Sequence, residues 1–137
     1  MSEERNAERV NEFYTVMLTD FAKAANEMMT EDIQWVNPLP PQIPFGGIYQ
    51  GVSGLVEYFE KLDANIEMHP LNFTEIVGSG DIVSAIGIEE DTLVKPTGKR
   101  YTMPFVHVIH FNGEGRVNYV REYNDITNML AAFDPDE

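Results

Sequence analysis

The sequence contains no cysteine. Disulfide staples, zinc–thiolate centres and thiol nucleophiles are excluded at once. Positive charge is also scarce, with 9 Lys and Arg against 23 Asp and Glu and a formal net charge of -14. A field of that sign repels nucleic-acid phosphates and anionic membrane surfaces, so neither is expected as a partner. The acidic clusters Glu3-Glu4, Glu89-Glu90-Asp91 and Asp134-Pro135-Asp136-Glu137 read as a solvated, solubilising surface. No run approaches the roughly 20 apolar residues of a membrane-spanning helix. The start, Met1-Ser2-Glu3-Glu4-Arg5-Asn6, is polar, and the expected location is cytoplasmic. A glycine-rich phosphate loop, a nucleophile elbow and a histidine pair at metal-ligand spacing are all missing, so neither a nucleotide cofactor nor a metal is expected.

What is present is a chain of 137 residues, a length that fits one domain over 1–137 with a core of its own. Val10, Phe13, Tyr14 and Met17 recur at helical spacing and predict a first helix over 6–17. Asp20 is placed to cap a second, short helix carrying Phe21, Ala24, Ala25, Met28 and Met29, which Thr30-Glu31-Asp32 ends. Residues 33–37 read as a strand stopped by prolines. Residues 38–47 then form an ordered surface loop, either the rim of a cavity or a plain crossover. Ser53 is a possible cap for a third helix with the face Leu55, Val56, Tyr58, Phe59 and Leu62, broken at Asp63-Ala64-Asn65.

The remainder is strand-like. Segments over 72–77, 82–93, 99–111 and 116–123 are separated by Gly78-Ser79-Gly80-Asp81, Lys95-Pro96-Thr97-Gly98 and Asn112-Gly113-Glu114-Gly115, all hairpin signals. A closing stretch over 125–133 is a short helix or frayed tail with Asp125 as its cap. Helices first and long strands afterwards predict an α+β domain, a curved antiparallel sheet wrapped around N-terminal helices to make a cone with a polar-lined interior.

The candidate site is a histidine inside an apolar strand, Phe105-Val106-His107-Val108-Ile109, with Glu122 one hairpin away. Alternation puts Phe105, His107, Ile109 and Phe111 on one face. On the next strand Val120, Glu122 and Asn124 share one face and Arg121, Tyr123 and Asp125 the other, unless a bulge intervenes. Tyr14, Trp35 and Asn37 add polar tips near apolar runs, the composition of a small-molecule pocket. A carboxylate buried beside aromatic walls is raised in pKa by desolvation and pulled back by an imidazole, a balance that leaves a base near neutrality. The bland alternatives are a satisfied core histidine, an exposed Glu122 paired with Arg121 or Arg100, and aromatics that only pack. His69 before Pro70 belongs to a turn, and His110 points away from His107 toward solvent or a partner.

The order of elements, with Trp35-Val36-Asn37-Pro38, the Gly47-Ile48-Tyr49-Gln50-Gly51 run and the hairpin over 105–125, resembles the superfamily of nuclear transport factor 2. That superfamily, also called cystatin-like, includes ketosteroid isomerases, limonene-epoxide hydrolases and SnoaL-like polyketide cyclases. The likeness to ketosteroid isomerases implies that Tyr14 stands at the oxyanion-donating tyrosine and His107 at the protonated aspartic acid. Asn37 stands at the general-base aspartate, where an amide takes no proton from carbon. The likeness to limonene-epoxide hydrolases covers Trp35, Asn37 and a carboxylate at Glu122, but Gly87-Ile88-Glu89-Glu90-Asp91 lacks the arginine of that family's arginine–aspartate pair. SnoaL-like cyclases use a histidine and an acid across this hairpin, the pattern that His107 and Glu122 fit best.

The resemblance therefore implies a cofactor-free enzyme acting by proton transfer on a small apolar carbonyl compound, as in aldol cyclisation or isomerisation. Glu122 is the base, His107 its partner, and Tyr14, Trp35, Asn37 and Asn124 line the ligand. Two alternatives stand beside it: a non-catalytic ligand-binding or dimerising module, and an epoxide hydrolase or dehydratase. The open sheet face with Val106, Val108 and Tyr123 predicts a homodimer.

Overall fold

The computed structural model describes residues 3–136, and their side chains except at residues 3–7 and 79. Met1, Ser2, Glu137 and the side chains of Glu3 and Glu4, singled out above, lie outside the described residues. Helix α1 (Glu3–Thr19) buries Val10, Phe13, Tyr14 and Met17, the stripe that its spacing predicts. Asp20 caps α2 (Phe21–Glu27), its carboxylate accepting the Lys23 amide at 3.2 Å.

Strand β1 (Met29–Asn37) begins at Met29 rather than Ile33, so Thr30, Glu31 and Asp32 lie in a strand and do not end a helix. The cause is non-local. The Val117 amide donates to the Met28 carbonyl at 2.8 Å, and Arg116 Nη1 donates to the carbonyls of Asn26 and Met29, drawing the chain into the sheet early. Residues 38–46 are irregular but buried at Ile43 and Phe45, and the Tyr49 hydroxyl donates to the Phe45 carbonyl at 2.9 Å. The loop thus contributes a wall.

After β2 (Gly47–Gln50), helix α3 (Gly51–Asn65) starts two residues before Ser53 and has no side-chain cap. Gly51 makes the entry, at a φ of 75° that a side chain would resist. The helix also outlasts Asp63, and the Asn65 side chain closes its last turn, Nδ2 donating to the Lys61 carbonyl at 2.8 Å. A short β3 (Ile66–Glu67) follows, then β4 (Asn72–Ser79), β5 (Ile82–Val94), β6 (Arg100–Phe111), β7 (Val117–Asn124) and α4 (Thr127–Phe133). Asp125 sits one residue before the N-cap of α4, yet its carboxylate accepts the Thr127 hydroxyl at 2.9 Å.

Among the described residues, four helices accompany a seven-stranded sheet in the order β2-β1-β7-β6-β5-β3, with β4 also on β5. Pairing is antiparallel except where β1 lies parallel to β7. The sheet curls into a half-barrel around the helices, the α+β cone expected. No helix among the described residues is long and apolar enough to cross a membrane.

Candidate functional site

His107 and Glu122 are directly paired across β6 and β7, and both are buried. The irregularity of that ladder falls between His110 and Phe111, beyond the pair, so alternation keeps both side chains on the inner face. Tyr14 reaches them from α1, Tyr58 from α3 and Trp35 from β1, where it pairs with Val120. The Tyr14 hydroxyl lies 2.6 Å from His107 Nδ1, and His107 Nε2 lies 3.3 Å from Glu122 Oε1. The other oxygen, Oε2, accepts the Trp35 indole N–H at 2.7 Å and the Tyr58 hydroxyl at 2.5 Å. Asn124 Nδ2 faces Glu122 Oε1 at 3.5 Å and donates to Asn37 Oδ1 at 3.1 Å, while Asn37 Nδ2 donates to the Tyr58 oxygen at 3.0 Å.

Burial is the strongest single influence on Glu122 and raises its pKa, but His107, Tyr58 and Trp35 together outweigh it and hold the carboxyl below its ordinary value. The expected balance near neutrality is therefore corrected: each oxygen faces donors that favour the charged form. Burial, and then the charge of Glu122, pushes the phenols of Tyr14 and Tyr58 well up, so both keep their protons. An ionised carboxylate only accepts, so the Nε2 facing it carries a hydrogen. In the neutral ring Nδ1 then accepts the Tyr14 hydroxyl.

This polar cluster lines a cavity of about 540 Å³ whose other walls include Met17, Phe21, Phe45, Phe59, Leu62 and Met103. That volume suits a small organic ligand. No lysine or arginine is among the lining residues, so nothing there offers a permanent cation to an anionic ligand. Among the described residues, no three histidines and acids gather to hold a metal ion.

The family model described as SnoaL-like domain matches residues 10–120. The chain belongs to the SnoaL-like domain family. No curated protein matches it by sequence. Among solved structures it is similar to an NTF2-like protein from Burkholderia xenovorans, at 25% identity and a TM-score of 0.82, covering 98% of this chain and 99% of that one. TerC, co-crystallised with polyporic acid, is 22% identical with a TM-score of 0.79, covering 93% of this chain and 97% of that one. A protein with a ketosteroid isomerase-like fold from Catenulispora acidiphila, in complex with trimethylamine, is 18% identical with a TM-score of 0.72 over 91% of each chain. The latter two likenesses are of fold.

In this SnoaL-like chain the cavity holds Tyr14, Trp35, Asn37, His107, Glu122 and Asn124 together, and Asp125 is exposed outside it. Arg100 pairs instead with Asp91 at 3.3 Å and Arg121 lies over the Tyr123 ring, so neither partners Glu122. His69 is exposed, and His110 is half-buried with its ring against Tyr119. Two cavity residues escaped the sequence reading. Tyr58 looked like one more apolar residue on a helical face, and its spacing carried no sign of a donor role. Glu89 was assigned to a solvated acidic run, and the structure overturns that: it is 8% exposed and lines the cavity. The available signal was strand alternation along β5, which makes Val83, Ala85, Gly87 and Glu89 inward neighbours.

Proposed function

We propose that this SnoaL-like protein is a cofactor-free enzyme that moves a proton at a carbon beside the carbonyl of a small, largely apolar compound, as in aldol cyclisation or isomerisation. The observation that carries the reading is the buried relay Tyr14–His107–Glu122 at the polar end of an apolar cavity. A proton on the imidazole reverses the Tyr14 contact: Nδ1–H donates to the phenol oxygen and frees the Tyr14 O–H for a ligand oxygen. Glu122, kept ionised by its donors, stabilises that charge. Negative charge developing on a carbonyl oxygen would thus meet a preorganised donor in a site of low dielectric. His107 and Glu122 form the charge pair behind that donor, while Trp35, Asn37 and Asn124 fix the carboxylate and line the ligand. Solved neighbours that hold polyporic acid or trimethylamine support a small organic ligand.

Deuterium exchange tests this without the natural substrate. Native protein in heavy water should speed exchange of the α-protons of one or more of a panel of one- to three-ring ketones, read by proton NMR. Tyr14→Phe should slow it by about 100-fold, the scale of one oxyanion donor. Native protein that accelerates none of them overturns the reading.

The same reading carries a cytoplasmic setting, for which the acidic composition is the support, and a homodimer through the outer sheet face. Tyr123 is 50% exposed there. Sedimentation that finds only monomer would remove the dimer.

A further inference from the structure

A donor for an enolate oxygen needs a base on the other side of the carbon. Glu122 is poorly suited to that, since both of its oxygens already face donors and its pKa is lowered. A second carboxyl lines the same cavity. Glu89 is as buried as Glu122; its Oε2 accepts the Thr92 hydroxyl at 2.9 Å, and the Tyr101 hydroxyl lies near its carboxylate.

A bulge follows Glu89 directly and shapes its surroundings. Between Glu89 and Thr92 the β5–β6 ladder slips, and Asp91 takes a φ of 49°, the one positive value among non-glycine residues described. Glu89 faces in by the alternation of β5, and the bulge, by turning Glu90 and Asp91 outward together, brings Thr92 to the same side. Positive φ at such a residue costs on the order of 1–3 kcal/mol, and strain of that kind concentrates at functional sites.

Register also leaves room for a substrate. His107 pairs with Ala85 and Glu89 with Met103, so four residues of β5 separate the two positions, roughly 13 Å along the strand. The side chains nevertheless converge enough to feel each other's charge. Glu89 thus lines the same cavity further along the inner sheet face from the Tyr14–His107 donor.

We propose that Glu89 is the catalytic base of this cavity, taking the carbon-bound proton of a neutral, apolar ketone whose oxygen is held by Tyr14. The C–H bond breaks toward the Glu89 carboxylate, and its electron pair forms the enolate C=C as the carbonyl π pair moves onto oxygen. In isomerisation the Glu89 carboxyl returns the proton to another carbon. In aldol closure the enolate carbon bonds to a second carbonyl carbon, and the resulting alkoxide takes the proton.

Titration agrees in direction. Burial first, and Glu122 second, raise Glu89 against the pull of the Tyr101 and Thr92 hydroxyls and of His107. A raised carboxyl is the stronger base once ionised, and carboxyls driven apart in one site take different roles. The titratable groups around it are Tyr101 and His107 from β6, Glu122 from β7 and Tyr58 from α3, with Glu60 and Asp63 on the cavity lining.

The proposal rests on the proton-transfer reading, and its test separates the two. Exchange of 2-tetralone in heavy water is followed by NMR for native protein, Glu89→Gln and Glu89→Asp, with binding read from Trp35 fluorescence. Glu89→Gln should lose about 100-fold in exchange rate with 2-tetralone affinity within about threefold of native, the split expected of a group used in the transition state. Native exchange should rise with pH through a midpoint above the ordinary carboxylate value, and that step should vanish in Glu89→Gln. Glu89→Asp, which keeps an acid on a shorter arm, should exchange faster than the Gln protein and covers the case in which the amide does not fold. Native activity matched by Glu89→Gln overturns Glu89 and leaves the reading standing. Native protein that binds 2-tetralone without exchanging it, and exchanges no other ketone of the panel, overturns both.

Discussion

Tyr58 and Glu122, 64 positions apart, are joined by a buried hydrogen bond of 2.5 Å that ties helix α3 to the inner face of the sheet. The carboxylate is therefore held by a helix as well as by its own strand neighbours. Tyr58→Phe should cost about 1–3 kcal/mol of stability, because it deprives Glu122 Oε2 of a donor and the Asn37 amide of an acceptor without opening a large cavity. Urea unfolding of the two proteins measures it. A midpoint unchanged from native would show that Trp35 alone suffices for that oxygen.

Glu122 and Glu89 should give opposite pH signatures. Glu122 has a folded-state pKa below its unfolded value, so its stabilisation is present above the unfolded value of about 4.3 and is lost as pH falls through the folded value. The penalty of Glu122→Gln should thus be largest near neutrality and shrink below about pH 4. Parallel melts at neutral and acid pH read the difference.

Glu89 carries the other sign. Its folded-state pKa is raised, so the native state binds the proton more tightly and loses stability as pH climbs from the unfolded value through the folded one. Glu89→Gln should therefore melt higher than native near neutrality, with an advantage that disappears below about pH 4. A variant that melts lower at neutral pH would mean that the carboxylate is structurally needed.

Trp35 is the sole tryptophan, and its indole N–H donates to Glu122 inside the cavity. Its fluorescence should change saturably with an apolar ketone such as 2-tetralone and stay unchanged with an acetate ion of equal concentration, because the lining offers no lysine or arginine. A response to acetate alone would reverse the assignment of ligand polarity.

Gly87 permits the close approach of β4 and of the Phe105 ring. A Cβ there would lie 2.4 Å from the Asn72 carbonyl oxygen and 2.7 Å from Phe105 Cζ. Gly87→Ala should lower stability by about 1–3 kcal/mol, the range for overpacking a tight site, as read by thermal unfolding.

Helix α1 and the hairpins of β4 to β7 were legible because each follows a short repeat, three or four residues in a helix and two in a strand, whereas the shared face of His107 and Glu122 needed the register between two strands. The start of β1 was not, since the pull on Met28 and Met29 comes from Arg116 and Val117, far along the chain. Tyr58 was hidden because a helical stripe records burial and not what a hydroxyl will meet. Glu89 was hidden because it reads as one member of a solvated acidic run with Glu90 and Asp91, although alternation from Val83 places it inward.

The sequence by itself determined a chain without thiols, poor in positive charge, with helices followed by paired strands and an imidazole set inside an apolar strand. These depend on composition and short periodicities, which are local. Only the tertiary structure decided that Glu122 is held ionised and Glu89 is pushed toward neutrality. Desolvation and hydrogen bonding act through space, and the groups that set them arrive on α1, α3, β1 and β6 from opposite ends of the chain.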